Sequence, residues 1–160
     1  MALTMEQLQT LLDGADYHYL IDPKRSALML SARGINGSYQ CYILLEMEGR
    51  FLQFRLLKYA NCPVGHPHLS AVLQVLAELN YLKRLINFGW DKNDGEITAY
   101  ADIWLEEDGT LTQSQFNANI QNYFSALDQA YHRIRHTIDT GKDPGEIDPA
   151  KMVEEAIDEG

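Results

Sequence analysis

The sequence predicts one α+β domain in which an antiparallel meander sheet carries helices on one face. Three observations support this fold class. Thr4 and Thr112 each stand three residues before a glutamine, and this pairing is the capping box that begins an α-helix. Several segments between the two boxes alternate apolar and polar residues, as half-buried strands do. The stretch 66–87 is apolar on several sides, which indicates a largely buried helix.

The predicted elements follow one another as a helix, four strands, a long helix, a hairpin and a last helix. Leu3 and Leu8 flank the first capping box as a hydrophobic staple, so the first helix starts after Thr4. The turn residues Pro23-Lys24, Asn36-Gly37 and Glu48-Gly49 separate the alternating segments and favour tight hairpins. The predicted strands are 17–22, 27–33, 38–47 and 51–59, the hairpin is 88–106, and the last helix is 113–139.

The register of the strands follows from counting outward from their turns. If every turn has two residues, the apolar residues of all four strands fall on the same face of the sheet. A slip of one residue would destroy this agreement, and the shared face is therefore the predicted core. Its members are Tyr17, Tyr19, Ile21, Leu28, Leu30, Ala32, Cys41, Ile43, Leu45, Leu52, Phe54 and Leu56.

The segment "DKNDGE" at 91–96 has the composition of a calcium loop but not its spacing. An EF-hand loop that began at Asp91 would need an oxygen ligand where Gly95 stands and a glutamate where Asp102 stands. Asn, Asp and Gly are also the residues that a tight turn between two strands requires. We therefore predict a hairpin turn at this segment and no calcium site.

The charge balance limits the classes of partner. The chain of 160 residues has a formal net charge of −10, and an acidic surface disfavours binding to nucleic acid or to anionic membranes. The sequence shows no signal peptide and no apolar run as long as a membrane span. Two cysteines, Cys41 and Cys62, make a disulfide scaffold unnecessary and fit a reducing compartment. These features predict a cytoplasmic protein.

Two groups of residues have the chemistry of metal ligands. Cys62, His66 and His68 in "CPVGHPH" carry zinc-ligating atoms, and they support an alternative function as a metal-binding sensor or enzyme. Their spacing matches no closed four-ligand set, and a loop before a helix explains them equally well. His132 and His136 are four residues apart, but the arginines between them favour an exposed helix face. We predict no metal site.

The sequence contains no catalytic motif. Nucleophile-elbow, phosphate-loop and dinucleotide fingerprints are missing, and the carboxylates at 106–108 stand beside a predicted turn. The sequence therefore predicts a protein that is not an enzyme and that has no cofactor.

The face of the sheet opposite the predicted core mixes aromatic, aliphatic and polar residues. It is too polar for a second core and more apolar than a strand face that meets only water. Such a surface favours contact with another protein. The alternative is that the first helix or the acidic tail of the chain covers it. The predicted partner-binding residues are Tyr42, Leu44, Phe51, Leu57, Tyr100 and Trp104.

Three segments resemble the YbjN family, bacterial proteins described as sensory transduction regulators. They are "LAELNYLKRLINFGW" (76–90), "DGEI" (94–97) and "EEDGTLTQSQFNANIQNYFSALD" (106–128). Asn80, Gly89 and Trp90 match positions where that family commonly has asparagine, glycine and an aromatic residue. The order of elements is also that of the type III secretion chaperone-like fold. "CPVGHPH" and the residues after 140 are not part of the pattern.

The resemblance implies a non-enzymatic module at residues 1–140, followed by an acidic tail at 141–160. Proteins of the secretion-chaperone fold commonly dimerise and hold partly unfolded segments of partner proteins. From this we expect a chaperone-like or adaptor protein that acts through protein contacts, forms a homodimer, and serves bacterial stress or signalling. No functional residue transfers from the family. The tail has seven acidic residues and two lysines, and Asp148-Pro149 favours one short helix within it.

Overall fold

The computed structural model of the protein describes residues 2–146, 148, 150 and 157. In this part of the chain it has the predicted α+β architecture, with helices on one face of an antiparallel sheet. The helices are α1 (Met5–Gly14), α2 (Leu69–Leu82) and α3 (Gln113–Thr140). The strands are β1 (Tyr19–Asp22), β2 (Ala27–Arg33), β3 (Ser38–Glu46), β4 (Phe51–Leu57), β5 (Ala60–Asn61), β6 (Asn87–Trp90) and β7 (Glu96–Trp104).

The last of the described strands, β7, lies inside the sheet, whose order is β1-β2-β3-β4-β7-β6. Ile97 of β7 pairs with Ala60 of β5 and also with Trp90 of β6, so these two strands lie on opposite sides of β7. Tyr100 is shared between β4 and β6 in the same way. Strand β5 therefore continues the line of β4, and β6 forms the second edge of the sheet. Lys58, with a left-handed φ of 50°, lies where the predicted strand 51–59 is interrupted.

The observed pairing confirms the predicted core face except at the edge of the sheet, where the predicted core residue Ile21 is 55% exposed. Cys41 pairs with Leu56 across the turn at Glu48-Gly49, as the count from that turn requires. The other two turns are longer than predicted, because Arg33 pairs with Ser38 and Asp22 pairs with Ala27. Each of these turns has gained two residues. An even number of added residues leaves the alternation of faces unchanged, so every strand keeps its predicted orientation.

Both predicted capping boxes are present. The Thr4 and Thr112 hydroxyls accept the backbone N–H of the glutamine three residues later. Each glutamine side chain in turn accepts the backbone N–H of its threonine. Helix α2 is shorter than the predicted 66–87. It ends at Leu82 because Lys83 is extended, with ψ 143°, and Leu85 is left-handed, with φ 63°. These two residues turn the chain into β6. No helix in the described residues has the length and apolar character needed to cross a membrane.

The core lies between the sheet and the three helices. Phe54 of β4 is fully buried, and its ring lies 6.1 Å from that of Phe116 and 5.6 Å from that of Tyr123, both on α3. The Tyr123 hydroxyl donates to the Ala99 carbonyl at 2.7 Å, which satisfies a polar group that would otherwise be buried without a partner. Helix α3 is thereby fixed against the centre of the sheet.

The segment 91–96 is the predicted hairpin turn. The Asp91 N–H donates to the Glu96 carbonyl at 2.9 Å, and the Gly95 N–H donates to the Asp91 carbonyl at 2.8 Å. Gly95 has a φ of 77°, and a Cβ there would lie 2.4 Å from the Cα of Pro63. Both facts require glycine at this position.

The chain after α3 runs back along the helices. Gly141 ends α3 in a left-handed conformation with φ 72°, and residues 142–146 follow without regular structure. The short helix predicted from Asp148-Pro149 falls largely outside the described residues. Of the described positions in that segment, 150 and 157 are helical.

Candidate functional site

The candidate functional site is the reverse face, by which we mean the face of the sheet opposite the helices. The side chains that β4 directs away from the core are half-buried or exposed, and they alternate with buried core residues. Trp104 at the end of β7 is 65% exposed. None of the six predicted contact residues is buried. The first helix does not cover this face, since Leu8, Leu11 and Leu12 of α1 belong to the core on the other side.

The strand register divides the reverse face into cross-strand rows. Phe51 pairs with Trp104, and their rings lie 4.7 Å apart at 45°. In the next row, the Gln53 side-chain amide donates to the Asp102 carboxylate at 2.7 Å. Arg55 stands one row further, with Tyr42 on β3 and Tyr100 on β7 as its two cross-strand neighbours. Rings therefore flank a polar centre along the length of β4.

The charges of the reverse face are separated along the strands. Glu46 and Asp102 lie at the end that carries Trp104, whereas Arg55 lies toward the opposite end. Arg55 is exposed, and none of the described residues forms a salt bridge with it. Its guanidinium, which is always charged and has five N–H donors, is thus free to bind a partner's carbonyl or carboxylate groups.

The structure brings some of the predicted residues together and leaves others apart. Phe51 and Trp104 are in direct contact, and Tyr42 and Tyr100 flank Arg55. Leu44 is paired with Gln53, while Leu57 lies at the far end of β4 opposite Gln40. All six share the reverse face, but they form a strip and not a single cluster.

Two further apolar residues extend the reverse face toward the free edge of the sheet. Met29 of β2 pairs with Tyr42, and Leu20 of β1 pairs with Met29. Leu20 is 66% exposed. Its place between Tyr19 and Ile21, both predicted core residues, was the signal in the sequence that Leu20 points to the reverse face. The Arg25 guanidinium lies 5.8 Å from the Tyr42 ring centre and covers part of this edge.

The residues of "CPVGHPH" do not assemble into a metal site. Cys62 is buried, and burial raises the pKa of its thiol. His68 uses its Nδ1 in a 2.7 Å hydrogen bond with the Ile138 carbonyl of α3, and the His66 Nδ1 accepts the His68 backbone N–H. Within the described residues, no three His, Cys, Asp or Glu side chains lie close enough together to hold an ion. These residues instead fix the loop before α2 against the end of α3.

Asp128 is a buried carboxylate that holds a turn in place. It accepts the backbone N–H groups of Ile35 and Asn36 at 2.9 and 3.0 Å, and it also accepts the Tyr39 hydroxyl. Burial and the bond to Asp128 raise the pKa of Tyr39 above its ordinary value. A Cβ on Gly34 would lie 2.2 Å from this carboxylate. The cluster ties the β2–β3 turn to α3, and it does not open onto the reverse face.

Arg133 is a buried cation that joins α2, α3 and the segment after α3. Its guanidinium donates to Glu78 of α2 and, through Nε and Nη2 at 2.7 Å each, to Asp143. The hydrogen bonds that Arg133 donates to Asp143 lower the pKa of this carboxyl group. Sequence reasoning placed Arg133 on the polar side of α3 and missed this role, because its two partners are 55 and 10 residues away along the chain.

The sequence of this chain matches the model of the YbjN family over residues 4–136. The chain belongs to the YbjN family. The family is described as "Putative bacterial sensory transduction regulator". This agrees with the resemblance found in the segments 76–90, 94–97 and 106–128. No curated protein sequence matches the chain.

The fold is similar to that of a solved member of the family. The crystal structure of YbjN from E. coli, described as "a putative transcription regulator", superposes with a TM-score of 0.64. The match covers 86% of this chain and 96% of that chain, at 15% sequence identity. At this identity the likeness shows the shared fold alone.

Proposed function

We propose that this YbjN-family protein is a regulatory adaptor of the chaperone-like type, which binds segments of partner proteins through the reverse face of its sheet. The observation that carries the proposal is the uncovered strip of aromatic and aliphatic side chains on that face. The description of the family as a regulator supports a non-enzymatic role. We also propose a cytoplasmic location, which the two free cysteines support.

The chemistry of the reverse face suits a protein partner. Tryptophan, tyrosine and arginine are the residues that most often dominate the energy of protein interfaces. Trp104, Tyr42 and Arg55 supply all three types within three successive rows of the sheet. The Gln53–Asp102 pair adds polar groups that can exchange their mutual hydrogen bond for bonds to a partner's backbone. An apolar strip with such a centre fits an extended or partly unfolded segment.

We further propose that the protein forms a homodimer through the β1 edge. No other described strand pairs with the outer edge of β1, and Leu20 and Ile21 on it are 66% and 55% exposed. An exposed strand edge is a template for pairing with a second chain. Two copies of β1 paired about a two-fold axis would join the two sheets, and the reverse faces of both copies would become one longer surface.

Capture of partners tests the adaptor role. The double variant Tyr42→Glu with Trp104→Glu puts two charges on the strip, and we expect recovery of specific partners from native lysate to fall at least about tenfold. The captured proteins are quantified by mass spectrometry against the unchanged chain. The same variant should also lose the ability to suppress aggregation of an unfolding client protein.

A matched control separates this surface from general surface charge. Val64 is 65% exposed, like Trp104, but lies in the loop before α2. Val64→Glu should leave capture unchanged. Equal recovery with the double variant and the unchanged chain would reject the reverse face as the binding site.

For the β1 edge, Ile21→Pro should convert a dimer into a monomer in light scattering, because proline cannot donate to a pairing strand.

A further inference from the structure

A cavity lies on the reverse face where β6 and β7 meet at their turn. Its volume is about 500 Å³, which is within the range of sites that bind small ligands. Residues of β4, β6, β7 and the turn 91–96 line it. None of the six predicted contact residues is among them, so the cavity is distinct from the strip of aromatic and aliphatic side chains.

Gly89 of β6 lines the cavity without a side chain. Its φ is not in the left-handed region, and a Cβ there would lie 3.6 Å from the Tyr100 ring and 3.7 Å from the Thr98 methyl group, which are ordinary contacts. Neither the backbone conformation nor crowding therefore requires glycine at this position. Glycine weakens a strand, and inside a strand it often marks a place where a ligand approaches closely. The missing side chain leaves space that belongs to the cavity.

Two opposite charges line the cavity without neutralising each other. Arg55 on β4 is exposed and Glu96 on β7 is half-buried, and neither forms a salt bridge with any of the described residues. The strand register keeps them apart, because Arg55 pairs with Tyr100, four residues along β7 from Glu96. The Cα atoms of these two β7 residues are about 13 Å apart. A ligand in this gap meets a cation on one side and an anion on the other.

The other polar groups of the cavity limit the charge of its ligand. Lys92 and Asp91 of the turn add one charge of each sign, so the lining holds two cations and two carboxylates and has no net formal charge. The Thr98 hydroxyl donates to the Leu56 carbonyl at 2.9 Å and keeps its capacity to accept a hydrogen bond from a ligand. A phosphate would be repelled by the carboxylates, whereas a molecule that carries both charges matches the lining.

We propose that this cavity binds a small zwitterion of the amino-acid class, with its carboxylate on Arg55 and its ammonium group on Glu96. A guanidinium binds a carboxylate through two parallel N–H donors. The Thr98 hydroxyl accepts a further ammonium N–H, and the absence of a side chain at Gly89 leaves room for the side chain of the ligand. The proposal does not rest on the capture of partner proteins, although Arg55 belongs to both surfaces.

Isothermal titration calorimetry on the full chain tests this site, with the standard amino acids as probes. We expect at least one of them to bind. Its N-acetyl form and its C-terminal amide should each bind at least about tenfold more weakly, because each lacks one of the two charges. The absence of binding by every standard amino acid up to millimolar concentration would overturn the proposal. Undiminished affinity for the N-acetyl form would do the same, because Glu96 would then have no role.

Three variants locate the site on the molecule. Arg55→Gln and Glu96→Gln each remove one charge, and Gly89→Val fills part of the cavity. Each should weaken binding at least about tenfold. Arg33→Gln is the matched control, because Arg33 is also exposed and forms no salt bridge with a described residue, but lies on β2 outside the cavity. Equal affinity in Arg55→Gln and Arg33→Gln would reject this cavity as the site.

The partner-binding variant separates this proposal from the adaptor function. Tyr42 and Trp104 do not line the cavity, so the double variant Tyr42→Glu with Trp104→Glu should bind the amino acid with unchanged affinity. Retained amino-acid binding with lost partner capture would support both proposals. Loss of amino-acid binding in this double variant, with the fold intact by circular dichroism, would place the ligand on the strip and overturn the assignment to the cavity.

Discussion

The two faces of the sheet differ although they are built from the same strands. Along β4, Leu52 and Phe54 are fully buried beneath the helices, whereas Gln53 and Arg55 between them lie on the reverse face. Neighbouring residues of one strand are therefore subject to two different requirements. Packing determines which side chains are acceptable on one face, and in our proposal contact with a partner determines them on the other. If the proposal is correct, a substitution moved one position along the strand should alter binding in place of stability.

The largest expected effect is on the helix-covered face. Phe54→Ala removes a ring that contacts Phe116 and Tyr123, and we expect the free energy of unfolding to fall by about 3–5 kcal/mol because a cavity remains. Arg55→Ala, one residue further, should change it by less than about 0.5 kcal/mol. Denaturant unfolding measures both. Similar losses for the two variants would remove the distinction between the faces.

The edges of the sheet give the second comparison. At the β6 edge, the Asn80 side chain of α2 accepts the Phe88 N–H at 2.7 Å and donates to the Phe88 carbonyl at 2.9 Å, which closes that edge as a further strand would. Asn80→Ala should lower the free energy of unfolding by about 1–2 kcal/mol, since two backbone groups lose their partner. Asn119→Ala is the control, because that amide bonds only within α3. Equal losses would mean that the β6 edge needs no cap.

A smaller effect on stability is expected from the ion pair between Arg133 of α3 and Asp143 of the segment after it. Arg133 lowers the pKa of Asp143, so this pair contributes stability above the pKa of a free aspartate and loses it as the pH falls through the lower folded value. Asp143→Asn should cost about 1 kcal/mol at neutral pH, because the carboxylate is partly exposed. The unfolding curves of the two proteins should converge in acid. A difference that persists in acid strong enough to protonate Asp143 in the folded protein would contradict this origin.

The smallest expected effect is on the reverse face itself. Leu44→Gln keeps the length of the side chain and changes only its polarity, on a face that no described helix covers. We expect the free energy of unfolding to change by less than about 0.5 kcal/mol. Thermal unfolding provides the measurement. A loss of several kilocalories per mole would show that this face is covered in the folded protein.

The alternation of residues was sufficient to predict both faces and most of the topology. Every strand keeps its side chains on the predicted faces although two turns are longer than predicted, because each of these turns has an even number of added residues. The end of α2 was not predictable in this way. Residues 83–87 contain no glycine or proline that would end a helix, and the left-handed Leu85 depends on the tertiary path into β6. Local sequence carries little information about such a turn.

The candidate site was predicted in part, whereas the buried polar contacts that hold the fold together were not. The six reverse-face residues follow from period two alone. Asp128, Asn80 and Arg133 act through partners that only the fold brings close, as the 92-residue separation of Asn36 from Asp128 shows. Asp128 and Arg133 stand next to the apolar stripe of α3, at positions that a helical pattern assigns to the polar side. Their charge was visible in the sequence, but their burial was not.

The central position of β7 determines the order in which the sheet can be completed during synthesis. Of the described strands, β7 is the last to leave the ribosome, yet it pairs with β4 on one side and β6 on the other. Until residue 104 has emerged, the sheet formed by β1 to β4 ends in an open β4 edge that carries Phe54 and Leu56. Final closure joins segments about 50 residues apart in the chain, which is the kind of long-range pairing that slows folding. During synthesis this chain therefore passes through a stage with an unpaired apolar strand edge. Pairing of that edge with another molecule would lead to aggregation.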